Sequence, residues 1–108
     1  MKLIIAYVQP EKLNDVKKEL YAEEVFKISV SSALGCGQQK GFHKTYRGVE
    51  EEVNLLKKMR IEIAVNDNFV DRTIAAIIKG ARTGEIGDGK IFISPVEKVI
   101  RIRTGEAK

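Results

Sequence analysis

Residues 59–81, MRIEIAVNDNFVDRTIAAIIKGA, contain the change of hydrophobic period that decides the fold. Met59, Ile61, Ile63 and Val65 alternate with Arg60, Glu62, Ala64 and Asn66, the period-two pattern of a half-buried strand. Past Asp67, a good N-cap residue, Val70, Ile74, Ile77, Ile78 and Ala81 fall at i, i+4, i+7, i+8 and i+11, which is one apolar stripe of a helix. A strand with two unlike faces leads into a helix with one apolar face, so the helix covers one side of a sheet and the polar row of the strand faces something else.

The same pattern recurs on both sides of that stretch. Residues 1–8 (MKLIIAYV) are rich in strand formers and end at Pro10, which fits a first helical turn because its missing N–H has no partner there. From Glu11 to Glu24, Leu13, Val16 and Leu20 at i, i+3 and i+7 predict a helix. Phe26, Ile28, Val30, Ser32 and Leu34 alternate with Lys27, Ser29, Ser31 and Ala33 and predict a second strand. Ile91–Ser94 is a fourth strand stopped by Pro95, and Lys98–Arg103 (KVIRIR) alternates again as a terminal extended segment. The order βαββαβ, with right-handed crossovers, predicts an α+β, ferredoxin-like sandwich: a four-stranded antiparallel sheet, two helices on one face, and a long loop between strands 2 and 3. Ile4, Ala6, Ala33 and Ala64 are expected on the uncovered face, apolar enough to be buried by self-association.

Composition narrows the function. A chain of 108 residues reads as one domain, 1–108, and 44% hydrophobic with 31% charged residues is neither disordered nor membrane-spanning, since no apolar run approaches about 20 residues. No basic-then-apolar leader opens the sequence, and Cys36, the only cysteine, rules out an intramolecular disulfide, so a cytoplasmic location is expected. The net charge of +4 raises nucleic-acid binding, but Lys and Arg are interleaved with Glu and Asp, and only Phe42 and Tyr46 offer rings for base stacking. No nucleic-acid partner is expected.

The loops carry the chemistry. Residues 35–56 hold four of the nine glycines and no sustained period, and a connection beyond about 15 residues is uncommon unless functional. Residues 83–90 (TGEIGDGK) satisfy the GxxxxGK part of a phosphate-binding loop, but Ile91 stands where Ser or Thr is required and Lys90 leads into a strand, not a helix. Gly87-Asp88-Gly89 therefore reads either as a plain turn or as a phosphate cradle of another kind. Arg101 and Arg103, at period two in the tail, either gather with Lys90 around an anion or are simply solvated. His43 and Cys36 lack a base or orienting partner at recognisable spacing, so no catalytic residues are expected and a nucleotide-hydrolysing enzyme is the weaker alternative. No metal-ligand motif is present, so a metal would arrive with a nucleotide.

Three segments together, residues 83–92 (TGEIGDGKIF), 101–106 (RIRTGE) and 37–41 (GQQKG), resemble the PII nitrogen-regulatory signal proteins, and the match runs over nearly the whole chain. The resemblance implies a ferredoxin-like homotrimer with nucleotide clefts between subunits. It implies that Gly87, Asp88, Gly89 and Lys90 cradle the phosphates of ATP or ADP, that Arg101 and Arg103 of a neighbouring subunit complete the anion site, and that Ser29, Gly35, Gly37, Gln38 and Ala64 line the rest. It further implies that Gln39 ligates Mg²⁺ on ATP, with 2-oxoglutarate held by Gln39, Lys40, Lys58 and Gly87. An ammonium suits a distal carboxylate, and a chelating 2-oxo acid suits Mg²⁺.

The resemblance also implies a mobile partner-binding loop, 37–55, with Tyr46, Arg47 and Gly48 on it. Its partner is expected to be an ammonium transporter, so a membrane is met only indirectly. Regulation of nitrogenase or glutamine synthetase is the alternative within the family. Glu51 stands where many relatives carry a modified tyrosine, and Val49 where others carry a phosphorylated serine, so no covalent modification is expected. Gln38 replaces a common arginine, which removes one contact to the terminal phosphate.

Overall fold

The computed structural model describes residues 1–35, 44–46, 49–51 and 56–107. Strands β1 (Lys2–Val8), β2 (Ser29–Gly35), β5 (Leu56–Val65) and β6 (Gly89–Pro95) form one sheet in the order β2-β5-β1-β6. Every neighbouring pair is antiparallel, with Ile4 opposite both Ile63 and Ile93 and Val30 opposite Ile61. Helices α1 (Leu13–Ala22) and α2 (Val70–Ala81) follow β1 and β5, each entered through a short 3₁₀ turn, Pro10–Lys12 and Asp67–Phe69. This is the ferredoxin-like arrangement. Two short strands, β3 (Lys44–Tyr46) and β4 (Val49–Glu51), pair with each other in the long connection between β2 and β5.

One residue parity of each central strand builds the core. Ile4, Ala6 and Val8 of β1 and Ile61, Ile63 and Val65 of β5 are buried under Val16 and Leu20 of α1 and Ala76, Ile77 and Ala81 of α2. The helices meet closely because Gly80 lacks a side chain: a Cβ there would lie 2.6 Å from the Val16 Cα. Thr73 is fully buried, and its hydroxyl donates to the Phe69 carbonyl at 2.7 Å, so burial leaves no polar atom unpaired on that side chain.

Four expectations change. Ile4 and Ala6 face the helices and are fully buried. The uncovered face carries the opposite parity, Leu3, Ile5 and Tyr7, together with Ala33 and Ala64 as expected. The sequence misleads here because β1 is apolar on both faces, so alternation could not assign its parity. Asp67 caps no helix: its carboxylate takes the Met1 amine at 3.0 Å and Lys2 at 3.8 Å, and α2 begins three residues later without a side-chain cap. Phe26 precedes β2 and is exposed, stacked obliquely on Tyr21 with ring centroids 5.8 Å apart. Finally, residues 101–106 do not continue as a strand. Arg101 N–H donates to the Glu106 carbonyl and Gly105 N–H to the Arg101 carbonyl, closing a turn with Gly105 at φ +70°.

Candidate nucleotide and anion site

The segment between α2 and β6 is built around one carboxylate. Asp88 Oδ2 accepts the Thr83 N–H at 2.8 Å and the Gly84 N–H at 2.9 Å, while Oδ1 accepts the Thr83 hydroxyl, whose oxygen in turn accepts the Glu85 N–H at 3.1 Å. The Thr83 hydroxyl, then the Thr83 backbone N–H, hold the Asp88 carboxyl below its ordinary pKa. An acid in a phosphate cradle is a liability unless its carboxylate is directed away from the ligand. Here it is turned back into its own loop.

Glycine shapes the exit. Gly84, Gly87 and Gly89 all have positive φ, and a Cβ on Gly89 would sit 1.7 Å from the Tyr7 carbonyl oxygen, so only glycine lets β6 start flush against β1. Lys90 follows at once, exposed, opposite Tyr7 on the uncovered face of the sheet. The register makes a rung there, Ser31, Arg60, Tyr7 and Lys90, and beside it a second, Ser29, Glu62, Ile5 and Phe92. Arg60 and Glu62 pair at 2.8 Å, and the Tyr7 and Phe92 rings meet edge to face at 6.2 Å. Among the described residues Lys90 has no ion-pair partner, nor have Arg101 and Arg103, which are exposed on the terminal turn.

Lys58, one rung further along β5, is half-buried and donates to the Gly87 carbonyl at 2.6 Å. Gln9 donates to the same carbonyl at 3.1 Å. The structure thus joins Lys58 to the Gly87–Lys90 turn, two groups assigned above to adjoining ligands. It does not join all the expected residues. Ser29 and Gly35 lie on β2 and Gly87–Lys90 at β6, opposite edges of the sheet, three strand spacings or about 14 Å apart. Ala64, exposed on β5, borders a cleft of about 260 Å³ shared with Phe26, Lys27, Asn66 and Phe69, away from the glycine turn. Gly37, Gln38, Gln39, Lys40, Arg47 and Gly48 lie outside the described residues, Tyr46 ends β3, and Glu51 ends β4. Among the described residues no group of three or more His, Cys, Asp or Glu is placed to hold a metal ion.

Two participants escape sequence reasoning. Gln9 is marked by no motif and meets Gly87 only across the sheet, 78 residues away. Thr83 belongs to the quoted glycine segment, but its role as the acceptor's partner depends on the side-chain direction of Asp88.

The fold is a ferredoxin-like sandwich with a glycine turn at one sheet edge, an inward acid in that turn and, directly after it, a lysine that has no ion-pair partner among the described residues. The chain matches the family model described as nitrogen regulatory protein P-II over residues 1–106. It is 53% identical to nitrogen regulatory protein GlnK1 of Methanosarcina mazei, over 98% of this chain and 92% of that protein. It is 54% identical to a nitrogen regulatory protein P-II of Nostoc punctiforme and 50% to one of Azospirillum brasilense, each over 98% of this chain and 95% of the relative. The chain belongs to the P-II family of nitrogen regulatory proteins. No helix among the described residues is long and apolar enough to cross a membrane.

Proposed function

We propose that this chain is a cytoplasmic sensor of ATP or ADP and of 2-oxoglutarate, which signals through residues 37–55 to an ammonium transporter. The observation that carries the nucleotide reading is the Gly87–Lys90 turn. Its only acid stays ionised but is bound from within by Thr83 and Gly84, and the exposed Lys90 ammonium has no ion-pair partner among the described residues, a combination suited to phosphate oxygens. The separation of Ser29 and Gly35 from that turn supports a cleft completed by a second subunit, with Arg101 and Arg103 contributed across it. The uncovered sheet face, with Leu3, Ile5, Tyr7, Ala64 and Phe92, supports a homotrimer that buries it.

Mg²⁺ bound to ATP supplies hard coordination sites for the two chelating oxygens of 2-oxoglutarate. Gln39 and Lys40 belong to that pocket, and Lys58 pairs with the distal carboxylate. The acid therefore binds appreciably only with Mg²⁺ and ATP, and by linkage each tightens the other equally, by about 1 to 3 kcal/mol. The change is passed to Tyr46, Arg47 and Gly48, and the partner is released as the loop population shifts. Calorimetry tests the reading: 2-oxoglutarate binds with Mg²⁺ and ATP but not with ADP, and equal binding with ADP or without metal contradicts it.

A further inference from the structure

The Gly87 carbonyl oxygen accepts two side-chain hydrogen bonds, from Lys58 Nζ at 2.6 Å and from Gln9 Nε2 at 3.1 Å. A carbonyl has two lone pairs, so both are taken. The register explains the meeting. Val8 lies opposite Met59 on one side and Gly89 on the other, and one step further places Gln9 between Lys58 and the turn.

The two donors are not equivalent. Among the described residues no carboxylate pairs with Lys58, so a cation is docked on a neutral acceptor. A charge-assisted bond to a carboxylate is stronger, and an incoming carboxylate draws the ammonium towards itself. If Lys58 were the carbonyl's only partner, its departure would strand a partly buried acceptor and oppose binding of the acid. Gln9 removes that penalty, because its amide remains on the oxygen.

We propose that Gln9 is a positioning residue: as the second donor on the Gly87 carbonyl, it keeps the glycine turn in place when Lys58 is lent to a carboxylate-bearing effector. This deepens the sensing function and rests on the reading of Lys58 given there. The signature is redundancy. Either donor alone holds the turn, and only Gln9 can hold it while the effector is bound.

The test has two arms, both on the full chain. In the first, hydrogen exchange of amides 83–90 is followed without ligand in wild type, Gln9→Met, Lys58→Met and the double variant. Each single variant stays within about threefold of wild type and the double exchanges at least about tenfold faster. A double variant no faster than the faster single overturns the shared hold. In the second arm, 2-oxoglutarate is titrated into each protein saturated with Mg²⁺ and ATP, and ATP is titrated alone. Gln9→Met weakens the acid by about fivefold or more and leaves ATP alone within about twofold. An unchanged acid affinity, or equal weakening of both ligands, overturns the positioning role. Wild type that binds ATP but no acid overturns the effector reading of Lys58 and the lending step with it, and the exchange arm then reports separately on the shared carbonyl.

Discussion

The two faces of the sheet are made by the same strands, and they do different work. On the covered face Ile4, Ala6, Val8, Ile61, Ile63 and Val65 are apolar without exception and buried beneath α1 and α2. On the uncovered face the intervening residues set Arg60, Glu62, Lys58 and Lys90 among Tyr7, Ile5 and Phe92. One parity carries the fold and the other carries the charged side chains of the candidate site. A substitution's effect is therefore set by the parity of its position more than by its distance from the glycine turn.

The largest expected effect is on the covered face. Ile61→Ala opens a cavity in the fully buried centre of the sheet and lowers stability by about 2–5 kcal/mol in a denaturant titration at fixed chain concentration. Gly89→Ala, at the start of β6 opposite the buried Val8, places a methyl group on the Tyr7 carbonyl at a φ of +108° and costs about 3 kcal/mol, with loss of ATP binding. Gly80→Ala pushes α2 off the Val16 backbone and costs about 1–3 kcal/mol by thermal unfolding, with ATP affinity retained in the folded fraction. A Gly80→Ala protein as stable as wild type breaks the claim that the helices meet at that point.

The smallest effect sharpens the picture of the turn. The folded Asp88 carboxyl titrates below its ordinary value of 3.8, chiefly because the Thr83 hydroxyl and N–H bind the carboxylate. Its contribution is therefore fully present above that value and is lost as pH falls through the lowered one. The Thr83 and Gly84 amides stay protected at pH 5 and open only in stronger acid. Asp88→Asn removes the pH dependence, and opening already at pH 5 in wild type contradicts the inward carboxylate.

Period switching made the fold legible. The change from two to three-or-four at Asn66–Val70 located β5 and α2, and Pro10 marked the start of the first helical region. Parity was legible only where one row was polar, as in β5, and failed in β1, where both rows are apolar. The terminal segment KVIRIR has a strand's alternation but no neighbouring strand to pair with among the described residues, and the hydrogen bonds of Arg101 close a turn instead. For the candidate site, spacing marked the glycines and Lys90 as either a plain turn or a phosphate cradle, and only the family resemblance chose between the two. The direction of Asp88 and the joint hold of Gln9 and Lys58 on Gly87 depend on contacts across the sheet, which no local pattern encodes.

Titration of ATP into wild type and Lys90→Ala tests the central claim most directly, since Lys90 lies on the uncovered parity and supports no core packing. ATP should bind one site per chain, and Lys90→Ala should weaken it at least about tenfold, roughly 1.4 kcal/mol, with thermal stability unchanged. Unchanged affinity in Lys90→Ala, or a loss of affinity matched by a loss of folding, would contradict the assignment of phosphate binding to this turn.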